Sequence, residues 1–198
     1  DALGIVLNYP NQNREILTKS KVELNVQSPK VIDPSIPCVG FIGAGNYASR
    51  TLIPAFKEAG AVLDTLVTSG GISGVHHGNK NQFATASTET NDLWNNDEIN
   101  TVSIVTRHDA HAQQVVDALK SGKNVFVEKP LALTLDELNV IDKTYHEANK
   151  SNTVRLMVGF NRRYAPHIVK MKELLNSHRS PKSIIMTVNA GAIPGEHW

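Results

Sequence analysis

From Cys38 onward the apolar positions fall into short runs separated by longer amphipathic stretches. Cys38-Val39-Gly40-Phe41-Ile42 is an unbroken apolar run entering a glycine turn, which predicts a buried strand. The segment from about Asn46 to Ala59 offers Leu52, Ile53, Ala55 and Phe56 to one face and meets Gly60 as a stop, which predicts a helix. Ala61 to Val67 predicts a second strand, closed by Ser69-Gly70-Gly71. Weaker elements follow, including a glycine-rich stretch whose His76 and His77 read as solvated loop residues. Val102 to Val105 predicts a third strand, and Ala110 to Leu119 a helix with Ala112, Val115, Val116 and Leu119 at helical spacing, ended by Ser121-Gly122. Asn124 to Val127 is a strand again. Leu135 to Ala148 is a helix opened by Thr134, with Glu137 placed for a capping box, and Leu156 to Phe160 a last strand.

Short apolar strands alternating with amphipathic helices imply an α/β fold, a doubly wound parallel sheet covered on both faces, over residues 37–163. Residues 1–36 read as a linker or the tail of a preceding domain. Gly4 to Leu7 could form one short strand before Asn8-Tyr9-Pro10-Asn11-Gln12-Asn13 breaks it, and Pro29, Pro34 and Pro37 punctuate the polar stretch behind it. Residues 164–198 read as the truncated beginning of an α+β substrate or oligomerisation domain, with a helix from Pro166 to Leu175 and a strand from Ser183 to Asn189. A lone strand cannot bury itself, so that domain is expected to be completed elsewhere. There is no internal repeat.

Composition narrows the class. With 198 residues there is room for one substantial domain and a remainder. Lys+Arg total 20 and Asp+Glu 19, so the chain lacks the basic footprint of a nucleic-acid or membrane-surface binder. A lone cysteine, Cys38, excludes an internal disulfide framework and a cysteine zinc cluster, and its apolar surroundings predict a buried, inert thiol. No apolar stretch approaches the roughly 18 residues of a membrane helix. No secretory signal is visible, so a cytoplasmic location is expected. The start at Asp1 and the stop at Trp198 are what a fragment of a longer polypeptide would show.

The turn after the first strand reads Gly43-Ala44-Gly45-Asn46-Tyr47-Ala48, a G-x-G-x-x-G/A pattern between strand and helix. Gly43 permits the tight turn, Gly45 lets backbone approach a pyrophosphate, and Ala48 lets the helix pack closely on the strand. The helix start, with Asn46 and Tyr47, offers N–H groups to the anion. A sulfonium-nucleoside methyltransferase is the competing use of such a turn, but it favours an acid just ahead of the glycines, where Phe41 and Ile42 stand. The choice between NAD and NADP depends on the end of the second strand. An acid there would bind a ribose 2′-hydroxyl and repel a 2′-phosphate. Thr68 and Ser69 stand there instead, and Asp64 falls too early, so the reading leans to NADP.

Two further segments carry a family resemblance. One is Thr106-Arg107-His108-Asp109-Ala110-His111, followed after a helix by Gly122-Lys123-Asn124-Val125-Phe126-Val127-Glu128-Lys129-Pro130-Leu131; the other is Gly159-Phe160-Asn161-Arg162-Arg163-Tyr164-Ala165-Pro166. With the glycine turn, in this order, they resemble the glucose–fructose oxidoreductase and inositol dehydrogenase family (Gfo/Idh/MocA) from about Cys38 to Pro166.

The resemblance implies an NAD(P)-dependent dehydrogenase acting on a hydroxyl/carbonyl pair, with a small sugar or cyclitol derivative as substrate. It implies that Lys129, beside the nicotinamide, is the catalytic group that polarises or protonates the reacting oxygen, aimed by a cis peptide before Pro130. It carries Thr106, His108, His111, Glu128, Lys129, Arg162 and Arg163 over as cofactor contacts, with the arginines reaching either the cofactor or the interdomain cleft. His108 and His111 also have a metal-like spacing, but no carboxylate or cysteine partner accompanies them, and no metal is expected. Family dehydrogenases take a second catalytic histidine from the sheet domain after the Rossmann fold. His197 lies too early for that residue, so this stretch is expected to bind dinucleotide without completing the hydride-transfer site. That later domain also makes the family's homo-oligomer contacts. The amino-terminal remnant suggests a fused upstream unit resembling a medium-chain alcohol dehydrogenase. The alternative is a non-catalytic dinucleotide-sensing regulatory or scaffold protein that kept the fold.

Overall fold

The computed structural model describes residues 19–24, 35–151, 153–176, 180–187, 189 and 191–192. The chain divides after Phe160 into two compact units. The first holds a seven-stranded sheet of β1 (Lys21–Glu23), β2 (Cys38–Ile42), β3 (Val62–Val67), β4 (Thr85–Ser87), β5 (Thr101–Ile104), β6 (Asn124–Val127) and β7 (Leu156–Val158), in the spatial order β1-β4-β3-β2-β5-β6-β7. Strands β2 to β7 pair in parallel, and β1 adds an antiparallel edge to β4. From β2 the chain winds outward to β4, crosses back to β5 and winds the other way to β7. The carboxyl ends of β2 and β5 therefore flank the topological switch point, where a doubly wound sheet binds its ligands.

Burial explains the apolar runs. Every residue of β2 is buried, because helices cover both faces of the sheet. Successive side chains alternate sides. Val39 and Phe41 enter one core with Leu63, Leu66 and Phe83, while Cys38 and Ile42 enter the other with Val102, Ile104, Val115 and Val127. Phe41 meets Phe56 and Phe83 edge-on at 5.2 and 5.8 Å, the geometry in which a positive ring edge faces a negative ring face.

The helices both follow and correct the sequence reading. The helix after the glycine turn contains a π-helical turn, Ala48–Leu52, before α1 (Ile53–Glu58). Pro54 has no N–H and its ring would clash with the carbonyl four residues back, and the wider turn closed by Ile53 N–H to Ala48 O takes up the offset. The glycine-rich stretch is α2 (Gly71–Asn81), not a loop. Gly74 and Gly78 share its buried face, where a Cβ would stand 2.7 Å from Thr68 Oγ1 and 2.4 Å from Leu24 Cδ1. The residues that lower helix propensity are the ones that let this helix lie close to the sheet. After the short α3 (Asn91–Trp94), α4 (His111–Lys120) and α5 (Leu135–Ala148) fall where the periodicity puts them. Thr134 Oγ1 accepts from Glu137 N–H while the Glu137 carboxylate accepts from Thr134 N–H, which is the expected capping box.

Within the segment read as linker, Lys21–Glu23 joins the sheet edge, and Leu24 is buried behind it with its N–H donated to Ala84 O at 2.8 Å. Gly4 to Leu7 and His197 lie outside the described residues. The second unit contains the 3-10 turn Asn161–Tyr164 and α6 (Pro166–Asn176). The strand expected over Ser183 to Asn189 does not form: its described residues are irregular, with Ile184, Ile185 and Met186 exposed, as follows when no neighbouring strand supplies hydrogen-bond partners.

Candidate functional site

Gly43 leaves β2 with φ +101°, its N–H donated to Val67 O at 2.8 Å. A Cβ there would stand 2.6 Å from Val105 O, so the turn crosses the end of β5 where only glycine fits. A Cβ on Gly45 would meet nothing within 4 Å, so backbone at this point opens on space a ligand can take. Asn46 and Tyr47 are exposed, and Ala48 is buried against the sheet. The first N–H groups of a helix have no intrahelical acceptor and carry its positive dipole end. The turn therefore fits an anion such as a pyrophosphate.

On the β3 side, Thr68 and Ser69 separate in role. Thr68 is buried, and its hydroxyl donates to Gly70 O at 2.9 Å, holding the turn. Ser69 is exposed at the start of α2. No carboxylate stands in this turn. Asp64 is buried within β3 and accepts from Thr65 Oγ1 at 2.6 Å and Asn96 Nδ2 at 3.0 Å.

The loops after β5 and β6 are joined through His111. Its ring is fully buried, with Nδ1 2.7 Å from Pro130 O and Nε2 3.2 Å from Thr106 O. Both ring nitrogens face carbonyl oxygens, so the nitrogen that carries the hydrogen donates to one loop while the buried ring packs against the other. His111 therefore lies between the two loops, in contact with both. Thr106 is half-buried, and its hydroxyl donates to Gln114 Oε1 at 2.8 Å. Beyond β6, Lys129 is exposed and its peptide bond to Pro130 is cis, as the family resemblance led one to expect. Glu128 N–H donates to Ile104 O at 2.9 Å, anchoring the loop, while Glu128 Oε1 is buried with no hydrogen-bond partner among the described residues. That oxygen faces Gly159, where a Cβ would stand only 2.6 Å away.

His108 sits half-buried on the 3-10 turn His108–Ala110. Burial, then the charge of Lys129, then His111 hold its imidazole below the usual histidine range, against the opposing pull of Asp109. The structure thus gathers the glycine turn, Ser69, Thr106, His108, Glu128 and Lys129 at one end of one sheet. Arg162 and Arg163 belong to the second unit, exposed on their turn, with the Arg163 guanidinium 4.9 Å from the Tyr164 ring centroid. His76 and His77 lie elsewhere, on α2, and His76 joins Val22, Ile72 and Val75 around a separate groove of about 560 Å³. Among the described residues no group of three His, Cys, Asp or Glu side chains could hold a metal ion, and no helix is long and apolar enough to cross a membrane.

Sequence reasoning missed Gln114, which holds Thr106, and gave Gly159, quoted at the start of a family segment, no role of its own, whereas it makes room for Glu128. Gln114 stands within the helical stretch that the periodicity identified, at an interior polar position, which is the signal that could have marked it. The role of Gly159 was not legible, because its partner Glu128 lies after another strand.

Comparison with known proteins agrees with this geometry. The model of the family described as "Oxidoreductase family, NAD-binding Rossmann fold" (Gfo/Idh/MocA) matches residues 38–160. Oxidoreductase P35 of Formosa agariphila is 35% identical over 140 residues, covering 70% of this chain and 42% of that protein. Inositol 2-dehydrogenase/D-chiro-inositol 3-dehydrogenase of Lactiplantibacillus plantarum is 32% identical over 149 residues, covering 75% of this chain and 41% of that protein. Among solved structures, KijD10, a 3-ketoreductase from Actinomadura kijaniata in complex with TDP-benzene and NADP, aligns with a TM-score of 0.64 at 20% identity, covering 72% of this chain and 44% of that one; this likeness shows the fold. The chain spans about two fifths of the length of the curated relatives it matches.

Proposed function

We propose, for a chain that belongs to the Gfo/Idh/MocA family of oxidoreductases, that it supplies the dinucleotide site and one catalytic group of an enzyme interconverting a hydroxyl and a carbonyl on a small sugar or cyclitol derivative. One observation carries the reading: Gly43, Gly45 and Lys129 stand on loops at the carboxyl ends of β2 and β6, on the crevice edge of one sheet. The dinucleotide, when bound, supplies or accepts the hydride.

The chain's own residues do the rest. The glycine turn and the helix start behind it hold the pyrophosphate. Lys129 gives a proton to the oxygen on which negative charge develops as the carbonyl is reduced, and takes it back in oxidation. His111 keeps the two loops in register, so that Lys129 and Thr106 address the same ligand. Ser69 and the start of α2, without an acid beside them, favour NADP over NAD.

The test is a titration of the chain with NADH and NADPH followed by nucleotide fluorescence. Binding of both, tighter for NADPH, is the expected result. Failure of both to bind removes the reading. Dinucleotide binding by a full-length protein that turns over no polyol or ketose would favour a sensor over an enzyme.

A further inference from the structure

His108 and Lys129 rise from neighbouring strands. β5 and β6 pair in parallel, with Ile104 opposite Val127, so the loops that leave them run side by side. One contact joins those loops, and a second holds His108 against it. The His108 ring meets the His111 ring edge-on at 5.7 Å and 68°, and His111 Nδ1 lies 2.7 Å from the carbonyl of Pro130, the residue after Lys129. The charged and titratable groups that act on His108 are Lys129 from the β6 loop, His111 from α4 and Asp109 from its own turn. Asp109 is itself turned toward Arg107, at 3.9 Å. An imidazolium at His108 would place a second cation beside the Lys129 ammonium.

We propose that His108 is a specificity residue for the oxidation state of the dinucleotide, its protonated ring disfavouring the cationic oxidised nicotinamide while leaving the neutral reduced ring almost untouched. This rests on the function proposed above, with the nicotinamide half of the cofactor over the β5 and β6 loops. The two redox forms share their phosphates and ribose groups, so those interactions cancel in the ratio of affinities. What differs is one unit of charge on the nicotinamide ring. Like charges several ångströms apart at a partly solvated site change that ratio by about fivefold.

The sign follows from the ordinary histidine value being lowered here. Near pH 8 the ring is neutral and adds nothing against the oxidised form. As pH falls through the lowered value, the imidazolium forms and the oxidised form binds more weakly. By linkage, oxidised dinucleotide expels part of a proton on binding near the midpoint of that titration, and reduced dinucleotide does not.

The experiment measures dissociation constants of oxidised and reduced dinucleotide for the full-length protein from pH 8 down through the midpoint of the His108 titration, which NMR of the ring locates. Proton release is read by calorimetry in two buffers of different ionisation enthalpy. The expected result is an oxidised-to-reduced ratio about fivefold higher below that midpoint than at pH 8, flat in His108→Gln and in His108→Asn, with proton release confined to the oxidised form. An independent readout needs no cofactor: the His108 ring signals in an NMR titration should move to higher pH in Lys129→Met. A ratio that stays flat in the wild type, or keeps its slope in both His108 variants, overturns the inference while leaving the dinucleotide site intact. Absence of binding by either form overturns the proposed function and this inference with it.

Discussion

Strand β6 has a lysine just outside each end, and the two have opposite surroundings. Lys123 precedes the strand, is 5% exposed, and donates to Asn96 O at 2.7 Å. Burial is the main cause that pushes its ammonium below the ordinary lysine value. Around it the amino end of the sheet is stitched by asparagines: Asn100 Oδ1 accepts from Cys38 N–H at 3.1 Å, and Asn124 Nδ2 donates to Asn100 O at 3.1 Å. Lys129 follows the strand and is exposed, at the same end of the sheet as a Gly45 that opens on empty space. One end has closed its hydrogen bonds, and the other keeps capacity for a ligand. Lysine at one end is a structural cation and, on the function proposed above, at the other a chemical one. Five substitutions test that contrast.

The largest effect is expected from Lys129→Met. In the full-length protein it should lower kcat by about 10²- to 10⁴-fold, the range for losing a positioned proton donor. Dinucleotide affinity should stay within about threefold, since the pyrophosphate is held by backbone. Steady-state kinetics with a parallel fluorescence titration checks both, and wild-type turnover in this variant would make the two lysines equivalent. Gly43→Ala should come next. It puts a side chain at φ +101° with its Cβ 2.6 Å from Val105 O, which should cost about 3 kcal/mol in urea unfolding and weaken dinucleotide binding as the turn shifts.

The same contrast explains what could be read from residues alone. Strands β2, β5 and β6 were legible because helices on both faces leave continuous apolar runs, and the site loops because their motifs sit directly after those runs. α2 was hidden by the glycines that let it approach the sheet, since propensity counts Gly74 and Gly78 against a helix and only tertiary packing explains them. β1 was illegible for a related reason. Lys21-Val22-Glu23 has no apolar run, and its strand exists through pairing with β4, more than sixty residues away in the chain. The loops that carry the motifs were legible, but the division of labour among their residues was not. That Thr68 holds its own turn while Ser69 faces outward, and that His111 is a clamp, follows from partners no local pattern records.

Lys123→Ala should cost about 2 kcal/mol, because it removes the shorter of the two hydrogen bonds to the Asn96 carbonyl, leaving only the Ile99 N–H at 3.2 Å, and leaves a gap where the stem packed. Lys123→Met keeps the stem and removes the buried charge, so it should recover more than half of that loss. Dinucleotide affinity should be unchanged in both. A loss of affinity matching that of Gly43→Ala would show that the amino end of the sheet contributes to the site, and the contrast would fail.

The smallest effect distinguishes the two ends by pH. Cys38, 1% exposed at the amino end, has its thiol pushed from 9.0 up to about 12, first by burial and then by Asp64 and Glu98. Between those values the unfolded chain has lost the thiol proton and the folded chain has kept it, so Cys38 makes stability fall as pH rises above 9. Lys123 acts with the opposite sign. Its folded value is lowered, so between that value and the unfolded 10.5 the unfolded chain holds the extra proton and stability rises with pH. Cys38→Ala removes the first slope and leaves the second. The stability difference between Cys38→Ala and wild type should therefore grow by about 1 kcal/mol in favour of the variant between pH 8 and pH 10, measured by urea unfolding. Below pH 6.5 the two proteins should run parallel, because the histidines with lowered values, His77 on α2 and His108 at the opposite end of the sheet, are retained by both. A difference that is constant from pH 8 to pH 10 would mean that the Cys38 thiol meets solvent, and the amino end would then be as open as the end that carries Lys129.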